Sequence, residues 1–373
     1  MCIVLLTTKH PSYALIVIDN RDEFILRPTS RPHWWTPDAV KPTADPSGEH
    51  GAPKQQQQQI LSSRDLQRRE RGTWLGVTRA GHFAVLTNYR ESAGVDAAAA
   101  RSRGAMVTAW LAAPPTEPTA RFVERMLADG GVRGVGGFSL ICGKLRRSRR
   151  PSPGHDGAAI APLAVLSNRA SHPSHVPWIA GARGETLGLS NTRYDDPVLW
   201  PKIADGRAAL DRAVAAGESA TEAELLASLF AVLDADTLPV DDGVPFDECT
   251  LLLKHSIFIR AIGDAEHRTA MEAAVAAAAD AAGPEAVRTA ARVPEELAHE
   301  ARPDGQAEGH NGFATGMYGT QRQTVLLVDW EGNVTYVERA LWDAHGRPVE
   351  RGQGDMYFRF QIEGWDEDED ETS

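Results

Sequence analysis

The start of the chain, where a cysteine stands directly behind the initiator methionine, constrains the fold more than any other feature. Residues 2–8 read CIVLLTT and residues 13–18 read YALIVI. Both segments are apolar and rich in β-branched residues, and the four residues between them have the character of a turn, so we predict a β-hairpin. If the turn is centred just after His10, Cys2 lies roughly opposite Asp19. The amino terminus then lies beside the polar residues that follow the second strand.

Cys2 is placed where it can carry chemistry. If Met1 is removed, the thiol and a free α-amino group belong to one residue, which is the arrangement of an N-terminal nucleophile. An α-amine titrates near pH ~8 and a thiol near ~8.5, so a proton passes between them at little cost. Alternatively, Cys2 is a small apolar residue packed at the start of a strand, because the reactivity of a cysteine depends on its surroundings.

A polar motif, Asn-Arg-Asp-Glu, occupies positions 20–23 directly after the second strand. A cation such as Arg21 favours the thiolate form of a nearby cysteine, and a carboxylate such as Asp22 can orient an ammonium group. Side chains alternate between the two faces of a strand, so these two residues face the same side only if a bulge intervenes. The motif can also be no more than a solvated strand end.

Six blocks of sequence follow one another along the chain. They are MCIVLL at the start, NRDEFILRPTSRPHWW at 20–35, GTWLGVTRAGHFAVLTNYRE at 72–91, GGFSLICG at 136–143, GLSNTRYDDPVLWPK at 188–202 and YGTQRQTVLLVD at 318–329. In this order they resemble the transport and Golgi organisation protein family. That family resembles the N-terminal-nucleophile hydrolases, especially the choloylglycine hydrolases and penicillin V acylases. The resemblance implies an α+β fold, a four-layer αββα sandwich.

The resemblance also implies six catalytic positions, which are Cys2, Arg21, Asp22, Asn88, Asn191 and Arg322. Cys2 matches the nucleophile, and the arginine and aspartate after the second strand match the pair that orients its amine. The two asparagines match oxyanion donors, a role suited to a side-chain amide, although a lone asparagine more often bonds its own backbone at a turn. The acylases separate their arginine and aspartate by two residues, whereas here they are adjacent. Relatives place the late arginine where this chain has Gln321.

A second set of residues is predicted to touch a ligand: Asn20, Glu23, His33, Trp34, Trp35 and Arg90. The two tryptophans beside His33 are suited to stack on a flat ligand such as haem, with the histidine as its axial ligand. Alternatively, both rings pack on the sandwich, as large apolar groups usually do. Haem is thus a candidate ligand, and the pattern requires no resident cofactor. His172 and His175 lack a cysteine or carboxylate at ligand spacing, so we predict no metal site.

Length and composition favour one domain with insertions. With 373 residues and 42% apolar content the chain is an ordinary globular protein. We predict one domain over 1–363, with insertions at about 43–70, 144–160 and 264–309, of which the first is disordered or partly helical. The acidic tail at 364–373 is predicted to be disordered. A net charge of -12 argues against nucleic acid as a partner.

The sequence favours a cytoplasmic protein. No stretch approaches the ~18 apolar residues that span a bilayer, and the start of the chain lacks the basic region of a secretory signal. The three cysteines follow no disulfide or zinc spacing, which favours a reducing compartment. Contact with a membrane is therefore expected to be peripheral, and association with the Golgi or with mitochondria is an alternative location.

Several local elements can be predicted from pattern alone. Residues 74–90 form two apolar segments around Ala80-Gly81 and predict a second hairpin. An amphipathic period over 119–129 predicts a helix, and Thr221-x-x-Glu224 before an apolar run predicts a capped helix. The apolar run LLLKHSIFIRAI at 251–262 predicts a buried strand or strand pair.

Two functions from different classes remain open. We favour a non-enzymatic role, in which a family member linked to Golgi organisation and protein secretion handles a ligand such as haem or acyl-CoA in the old catalytic cleft. The alternative is a cysteine amidohydrolase, in which Cys2 attacks a small or lipid-like amide. A fold alone does not decide between these functions.

Overall fold

The computed structural model describes residues 2–37, 58–88, 102–128, 130–132, 134–148, 158–239, 244–281 and 315–367. The strands in these ranges are β1 (Ile3–Thr7), β2 (Tyr13–Phe24), β3 (His33–Trp35), β4 (Ile60–Ser62), β5 (Leu75–Thr78), β6 (His82–Asn88), β7 (Phe138–Lys144), β8 (Arg147–Ser148), β9 (Ala159–Ile160), β10 (Leu163–Ser167), β11 (Trp178–Ile179), β12 (Thr186–Leu189), β13 (Tyr318–Asp329), β14 (Asn333–Ala340) and β15 (Asp355–Gln361). The helices are α1 (Gly104–Leu111), α2 (Thr119–Ala128), α3 (Pro201–Gly217), α4 (Glu222–Leu233), α5 (Phe246–Leu252) and α6 (Ala265–Ala281).

Two antiparallel sheets form the centre of the molecule. One has six strands in the order β12-β1-β2-β13-β14-β15, and the other has seven in the order β11-β10-β7-β6-β5-β4-β3. Strands β8 and β9 pair separately. The amino-terminal hairpin therefore lies in the interior of the six-stranded sheet, with β12 on one side and β13 on the other.

Three apolar clusters divide the molecule into four layers. The first fills the space between the two sheets, the second joins the seven-stranded sheet to α1 and α2, and the third joins the six-stranded sheet to α3 and α4. The first half of β2 is apolar at successive positions because both of its faces are covered: Val17 faces the other sheet while Ile18 faces the helices. The layering confirms the predicted αββα sandwich.

Predicted elements that are stabilised by groups close together in the sequence are confirmed. The hairpin of β5 and β6 turns at Gly81, whose φ of 79° favours a residue without a Cβ. Helix α2 occupies the predicted amphipathic segment. At the start of α4, the Thr221 hydroxyl accepts a hydrogen bond from the Glu224 amide, and the Glu224 carboxylate accepts one from the Thr221 amide.

The predicted register of the first hairpin is wrong by two residues. Asp19 pairs with Val4, and Ile3 pairs with Asn20, so Cys2 lies further along β2 than expected. The turn is displaced because His10 is buried instead of forming the tip. Its ring Nδ1 accepts a hydrogen bond from the Ser12 amide at 3.1 Å, which closes the turn one residue later.

Three segment predictions need correction. The run 251–262 is not a strand pair: it begins at the end of α5, continues as a short 3₁₀ helix and joins β13 through the bridge of Ile262 with Tyr318. The predicted insertion at 43–70 contains β4, where Ile60 is fully buried between β3 and β5. The core also extends past 363, because Trp365 is buried and donates to the Trp330 carbonyl.

The other predicted insertions are described only at their edges. Between 144 and 160 the paired strands β8 and β9 close the ends of the segment, and residues 149–157 lie outside the described ranges. Helix α6 covers the start of 264–309, and 282–309 lie outside them. No helix in the described part of the chain is long and apolar enough to cross a bilayer.

Candidate functional site

The amino-terminal end of β1 meets the ends of β6 and β12, and this meeting brings Cys2 near two predicted oxyanion residues. The Ser190 hydroxyl, just beyond β12, donates to the Cys2 carbonyl at 2.7 Å and lies 3.2 Å from the side-chain oxygen of Asn191. Asn191 Nδ2 donates to the backbone carbonyl of Asn88 at 2.5 Å. Because Ser190 has one hydroxyl hydrogen and the Asn191 oxygen can only accept, the Ser190–Asn191 contact is an alternative to the bond with Cys2. The backbone carbonyls of Cys2 and Asn88 thus lie on either side of the Ser190–Asn191 pair.

Arg21 and Asp22 face opposite sides of β2. Arg21 shares the face of Val17, toward the seven-stranded sheet, while Asp22 shares the face of Ile18, toward the helices. The irregularity in this region lies in the neighbouring strand, where Gln321 is the extra residue between two successive pairs of β13 with β2. Since β2 itself carries no extra residue there, the two neighbours cannot turn to the same side.

Four residues around the start of β1 form what we call the Cys2 cluster: Cys2, Asp22, Lys202 and Thr320. The Cys2 thiol points at the Asp22 carbonyl, with Sγ 3.9 Å from the oxygen. The Asp22 carboxylate accepts a hydrogen bond from the Thr320 hydroxyl at 2.7 Å. Burial raises the pKa of Asp22, and the positive charge of Lys202 and the hydrogen bond from Thr320 oppose that rise. All four residues are at least nine-tenths buried.

Burial decides the protonation state of the Cys2 thiol. The residue is only 3% exposed, and its removal from water raises the pKa of Cys2 to about 12. The negative charges of Asp22 and Asp19 act in the same direction. In the chain that retains Met1, the thiol is therefore protonated at neutral pH and is a poor nucleophile.

Lys202 is the member of the cluster that sequence reasoning missed. It stands in the first turn of α3 and is 1% exposed, which is rare for a lysine. Burial lowers the pKa of Lys202, while Asp22 and Cys2 raise it. The residue closes the block GLSNTRYDDPVLWPK, but a single sequence does not reveal that its ammonium group turns inward.

On the face of β2 that turns toward the seven-stranded sheet, a second set of charges forms what we call the inter-sheet cluster: Asp19, Arg21, Arg322 and Glu338. Arg322 pairs directly across from Arg21, and its Nε lies 3.9 Å from a carboxylate oxygen of Glu338. Burial first, and then the charges of Asp22 and Glu338, raise the pKa of Asp19 to about 8, against the charge of Arg21. Two predicted catalytic arginines, Arg21 and Arg322, therefore belong to this cluster, and the register of β1 with β2 puts Arg21 across from Cys2.

The partners of Arg21 and Glu338 lie in the protein interior. The Arg21 guanidinium lies 4.7 Å from the ring centroid of Trp74 and donates to the Thr29 hydroxyl at 3.3 Å. Glu338 accepts a hydrogen bond from the Ser63 hydroxyl at 2.5 Å. These contacts join the two sheets through charged and polar groups.

The flanking residues of the Asn-Arg-Asp-Glu motif have local structural partners. Asn20 is fully buried, and its amide donates to the Leu233 carbonyl at the end of α4 and to the Ile257 carbonyl. Glu23 lies 3.4 Å from the guanidinium of Arg27 and accepts from a neighbouring backbone amide. Neither contact involves Cys2.

The His33–Trp34–Trp35 segment forms β3, the edge strand of the seven-stranded sheet, and it does not join the Cys2 cluster. Trp35 is buried and donates to a serine hydroxyl, and Trp34 packs edge-on against Phe360 at 5.1 Å. His33 Nδ1 donates to a backbone carbonyl at 2.9 Å, so Nε2 is its remaining nitrogen. The described part of the chain holds no group of three His, Cys, Asp or Glu suited to a metal. Arg90 lies outside the described residues.

A cavity of about 320 Å³ is lined by residues of β7, of β10 and of the segment that follows β12. Its floor includes Ser139 and Ser167, which pair across β7 and β10 in one row with Thr87 of β6. Its rim includes Arg169 and Arg193. This row of hydroxyls contacts the backbone on both sides of Asn191. The Ser139 hydroxyl donates to the Thr192 carbonyl, and the Thr87 hydroxyl donates to the Ser190 carbonyl.

A family model described as "Transport and Golgi organisation 2" matches residues 1–343. The "Transport and Golgi organization protein 2 homolog" of Homo sapiens is 25% identical over 333 residues, covering 89% of this chain and 88% of that protein. An uncharacterised protein of Saccharomyces cerevisiae is 21% identical over 97% of this chain and the whole of the other.

Solved structures give more distant likenesses. The penicillin V acylase of Agrobacterium tumefaciens is 12% identical, with a TM-score of 0.42 over 97% of this chain and 86% of the other. A mutant conjugated bile acid hydrolase from Clostridium perfringens is 10% identical, with a TM-score of 0.31 over 97% and 92%. These alignments are too loose to equate individual residues, so the site is interpreted from its own geometry.

Proposed function

We propose that this chain, which belongs to the Transport and Golgi organisation 2 family, is a cysteine amidohydrolase whose active centre forms at Cys2 once Met1 is removed. The observation that carries the proposal is the meeting of Cys2, Asn191 and Asn88 around Ser190: the Ser190 hydroxyl donates to the Cys2 carbonyl, and Asn191 Nδ2 donates to the Asn88 carbonyl. It supports the proposal because a candidate nucleophile and two candidate oxyanion donors come from three separate strand ends that meet at one end of the sandwich.

The chemistry follows from the groups present after loss of Met1. The α-amine of Cys2 takes the thiol proton, and the sulfur adds to the carbonyl carbon of an amide. Asn191 Nδ2 carries two hydrogens, so it can hold the Asn88 carbonyl and still donate to the oxyanion. When the C–N bond breaks, the ammonium returns its proton to the leaving amine. Water then hydrolyses the thioester and regenerates the thiol.

The neighbouring cavity gives room for the part of the substrate beyond the scissile bond. Its volume of about 320 Å³ is at the lower end of small-molecule sites. Hydroxyls on its floor and arginines on its rim favour a polar group there and disfavour a long acyl chain. We therefore propose a small amide with one polar arm as the substrate class.

The test is amide turnover by protein whose mass shows that it begins at Cys2. A panel of small N-acyl amides is incubated with the wild type and with Cys2→Ala, and the released amine is quantified. We expect Cys2→Ala to lose at least ~10³-fold in rate at an unchanged unfolding midpoint. Cys142→Ala, a matched change of a buried cysteine in another layer, should retain turnover. Turnover that survives Cys2→Ala would contradict the proposal.

A second candidate is the non-enzymatic role, in which this end of the molecule binds a ligand such as haem or acyl-CoA without cleaving it. The burial and protonation of the Cys2 thiol favour it. Titration of the purified protein with haem, followed by absorbance, and with acyl-CoA, followed by calorimetry, tests it. Saturable binding that Cys2→Ala preserves, together with absence of amide turnover, would support this role; absence of binding to both ligands would exclude them.

The cellular role is part of the same proposal. We propose that the protein acts in the cytoplasm, with peripheral association to Golgi or mitochondrial membranes, and contributes to Golgi organisation and secretion. Fractionation of cells that express the full chain tests this location. Release from membranes by high salt is expected for a peripheral protein, whereas retention through salt and alkaline washes would contradict it.

A further inference from the structure

The cavity lined by β7, β10 and the segment after β12 carries a charge opposite to that of the whole chain. Two arginines, Arg169 and Arg193, line it, and Asp195 is the acid among its lining residues. With His175 counted as neutral, the lining has one more positive than negative charge, whereas the chain has a net charge of -12. A cleft lined mainly by one sign of charge raises the local concentration of ions of the opposite sign. The cavity is therefore suited to an anion.

The side chain of Asp195 shows how a carboxylate meets Arg193. Its two oxygens accept hydrogen bonds from Nε and Nη2 of Arg193 at 3.0 and 2.7 Å, which is the bidentate geometry of a carboxylate on a guanidinium group. The two side chains are 52% and 58% exposed, and an ion pair so open to water stabilises a fold very little. A ligand carboxylate can therefore join or replace Asp195 on Arg193 at little cost to the fold.

The rest of the lining suits the body of a small organic acid. Val165, Ala170 and Pro177 supply apolar surface, and the Ser167 hydroxyl lies on the floor. The same hydroxyl accepts a hydrogen bond from the Arg169 amide at 3.2 Å, so it also positions the backbone of the second arginine. A volume of about 320 Å³ admits a small molecule.

The segment that lines the cavity also carries Asn191, the candidate oxyanion donor. Arg193 follows two residues later, and two residues span at most about 7 Å even when they are extended. The segment is held between them, because the Ser139 hydroxyl donates to the Thr192 carbonyl at 3.4 Å. The arginine that lines the cavity is therefore anchored close to the candidate oxyanion donor.

We propose that this cavity is a binding site for a small organic monoanion, with its carboxylate on Arg193 and Arg169 and its apolar body against Val165 and Pro177. A carboxylate is favoured over a phosphate monoester, because a dianion exceeds the net charge of the lining and is repelled by Asp195. The site goes beyond the proposed function, since binding requires neither a free α-amine nor turnover. Only the assignment of this carboxylate to the polar arm of the substrate rests on the amidohydrolase proposal.

The experiment measures ligand affinity in full-length Cys2→Ala protein, which lacks the candidate nucleophile. The probes are N-acetylvaline and its uncharged N-methylamide, titrated at neutral pH and followed by ligand-observed NMR. We expect N-acetylvaline to bind at least about tenfold more tightly than the N-methylamide, as for hydrogen bonds to a charged group. Inorganic phosphate is titrated as the alternative anion and should bind more weakly than N-acetylvaline.

Three further substitutions in the same protein locate the bound anion. Arg193→Met should weaken N-acetylvaline binding about tenfold. Asp195→Asn removes the competing carboxylate and should strengthen binding about three- to fivefold, as for loss of one like charge near the surface. Arg121→Met is the matched control and should leave the affinity unchanged, because Arg121 is also exposed and paired with an acid, Glu124, but lies on α2 and does not line the cavity.

Equal affinity for N-acetylvaline and its N-methylamide would overturn the inference, and so would an unchanged affinity in Arg193→Met. Tighter binding of phosphate than of N-acetylvaline would overturn the assignment to a carboxylate. If Arg193→Met does not fold, Arg169→Met takes its place with the same expectation. Acid-selective binding without amide turnover in the wild type would contradict the amidohydrolase proposal alone, whereas turnover without acid-selective binding would contradict this inference alone.

Discussion

The Cys2 cluster and the inter-sheet cluster meet at β2, which contributes Asp22 to the first and Arg21 to the second, and they differ in what encloses them. The inter-sheet cluster holds two arginines and two acids between the sheets, where Ser63 and Trp74 complete the contacts. The Cys2 cluster holds a thiol at the start of the chain, beside two asparagines and a cavity. The difference teaches that neighbours in the motif have different contacts: the Arg21 guanidinium bonds Thr29 and lies over Trp74 between the sheets, whereas the Asp22 carboxylate accepts from Thr320.

The sharpest way to break this comparison is to remove a charge from the inter-sheet cluster. Arg322→Met leaves Glu338 buried next to a neutral side chain, and we expect the free energy of unfolding to fall by about 3–5 kcal/mol. Urea unfolding measures the change. Arg322→Met/Glu338→Gln, which leaves no lone charge of that pair, should recover part of the loss. A stable Arg322→Met protein with a slowed reaction at Cys2 would show that the two clusters are one site.

On the other side of the comparison, Asn191→Ala should affect rate more than stability. Loss of one oxyanion donor is expected to lower kcat by about 10²–10³. Loss of its hydrogen bond to the Asn88 carbonyl should cost only about 1 kcal/mol of stability. Steady-state kinetics and urea unfolding separate the two effects. Asn168→Ala, which also removes an amide bonded to a backbone carbonyl, is the matched control and should keep full activity.

The inter-sheet cluster should also give the protein a distinct pH dependence. The pKa of Asp19 is raised to about 8 in the fold and is near ~3.9 in the unfolded chain. Between these values unfolding releases its proton, so its contribution to stability is complete below pH ~4 and is lost as pH rises through 8. We expect wild type to lose about 2–3 kcal/mol relative to Asp19→Asn between pH 5 and 7. Parallel stability curves for the two proteins would contradict this expectation.

The smallest predicted effect concerns Asn20, which shares its face with Asp22 but is predicted to be structural. Asn20→Ala leaves the carbonyls of Leu233 and Ile257 without their donor, and we expect a loss of about 2 kcal/mol in unfolding free energy. The rate of thiol labelling at Cys2 should not change. Asn333→Ala, at the exposed start of β14, serves as the control and should cost less. If the rate of thiol labelling at Cys2 changes in Asn20→Ala, the active centre includes Asn20 as well.

The elements that could be predicted from sequence are those whose signal is local. The Thr221 capping box and the Gly81 turn contain all the groups that stabilise them, so the pattern is sufficient. The αββα architecture came from the order of six sequence blocks and is confirmed by the three apolar layers. Strand β4 was missed because Ile60 follows a glutamine-rich segment, and only the neighbouring strands make its three residues a strand.

For the candidate site, the residue types could be predicted from the sequence, but the face of the sheet on which each side chain lies could not. The alternation of β2 predicted that Arg21 and Asp22 separate unless a bulge intervenes, and the extra residue proved to lie in β13 at Gln321. Lys202 could not be found in this way, since its burial depends on the close approach of α3 to β1. The apolar run at 251–262 was misread because its backbone bonds are made by residues far away in sequence, such as Thr320 to Ile259.

The measurement that tests the central claim most directly is the intact mass of the native protein before and after a mild thiol electrophile, with Cys2→Ala alongside. The account predicts loss of Met1 and one rapid addition that disappears in Cys2→Ala, which still contains Cys142 and Cys249. Retention of Met1, or labelling of Cys2 no faster than that of a free thiol, would contradict the claim that an activated nucleophile forms at this end of the sandwich.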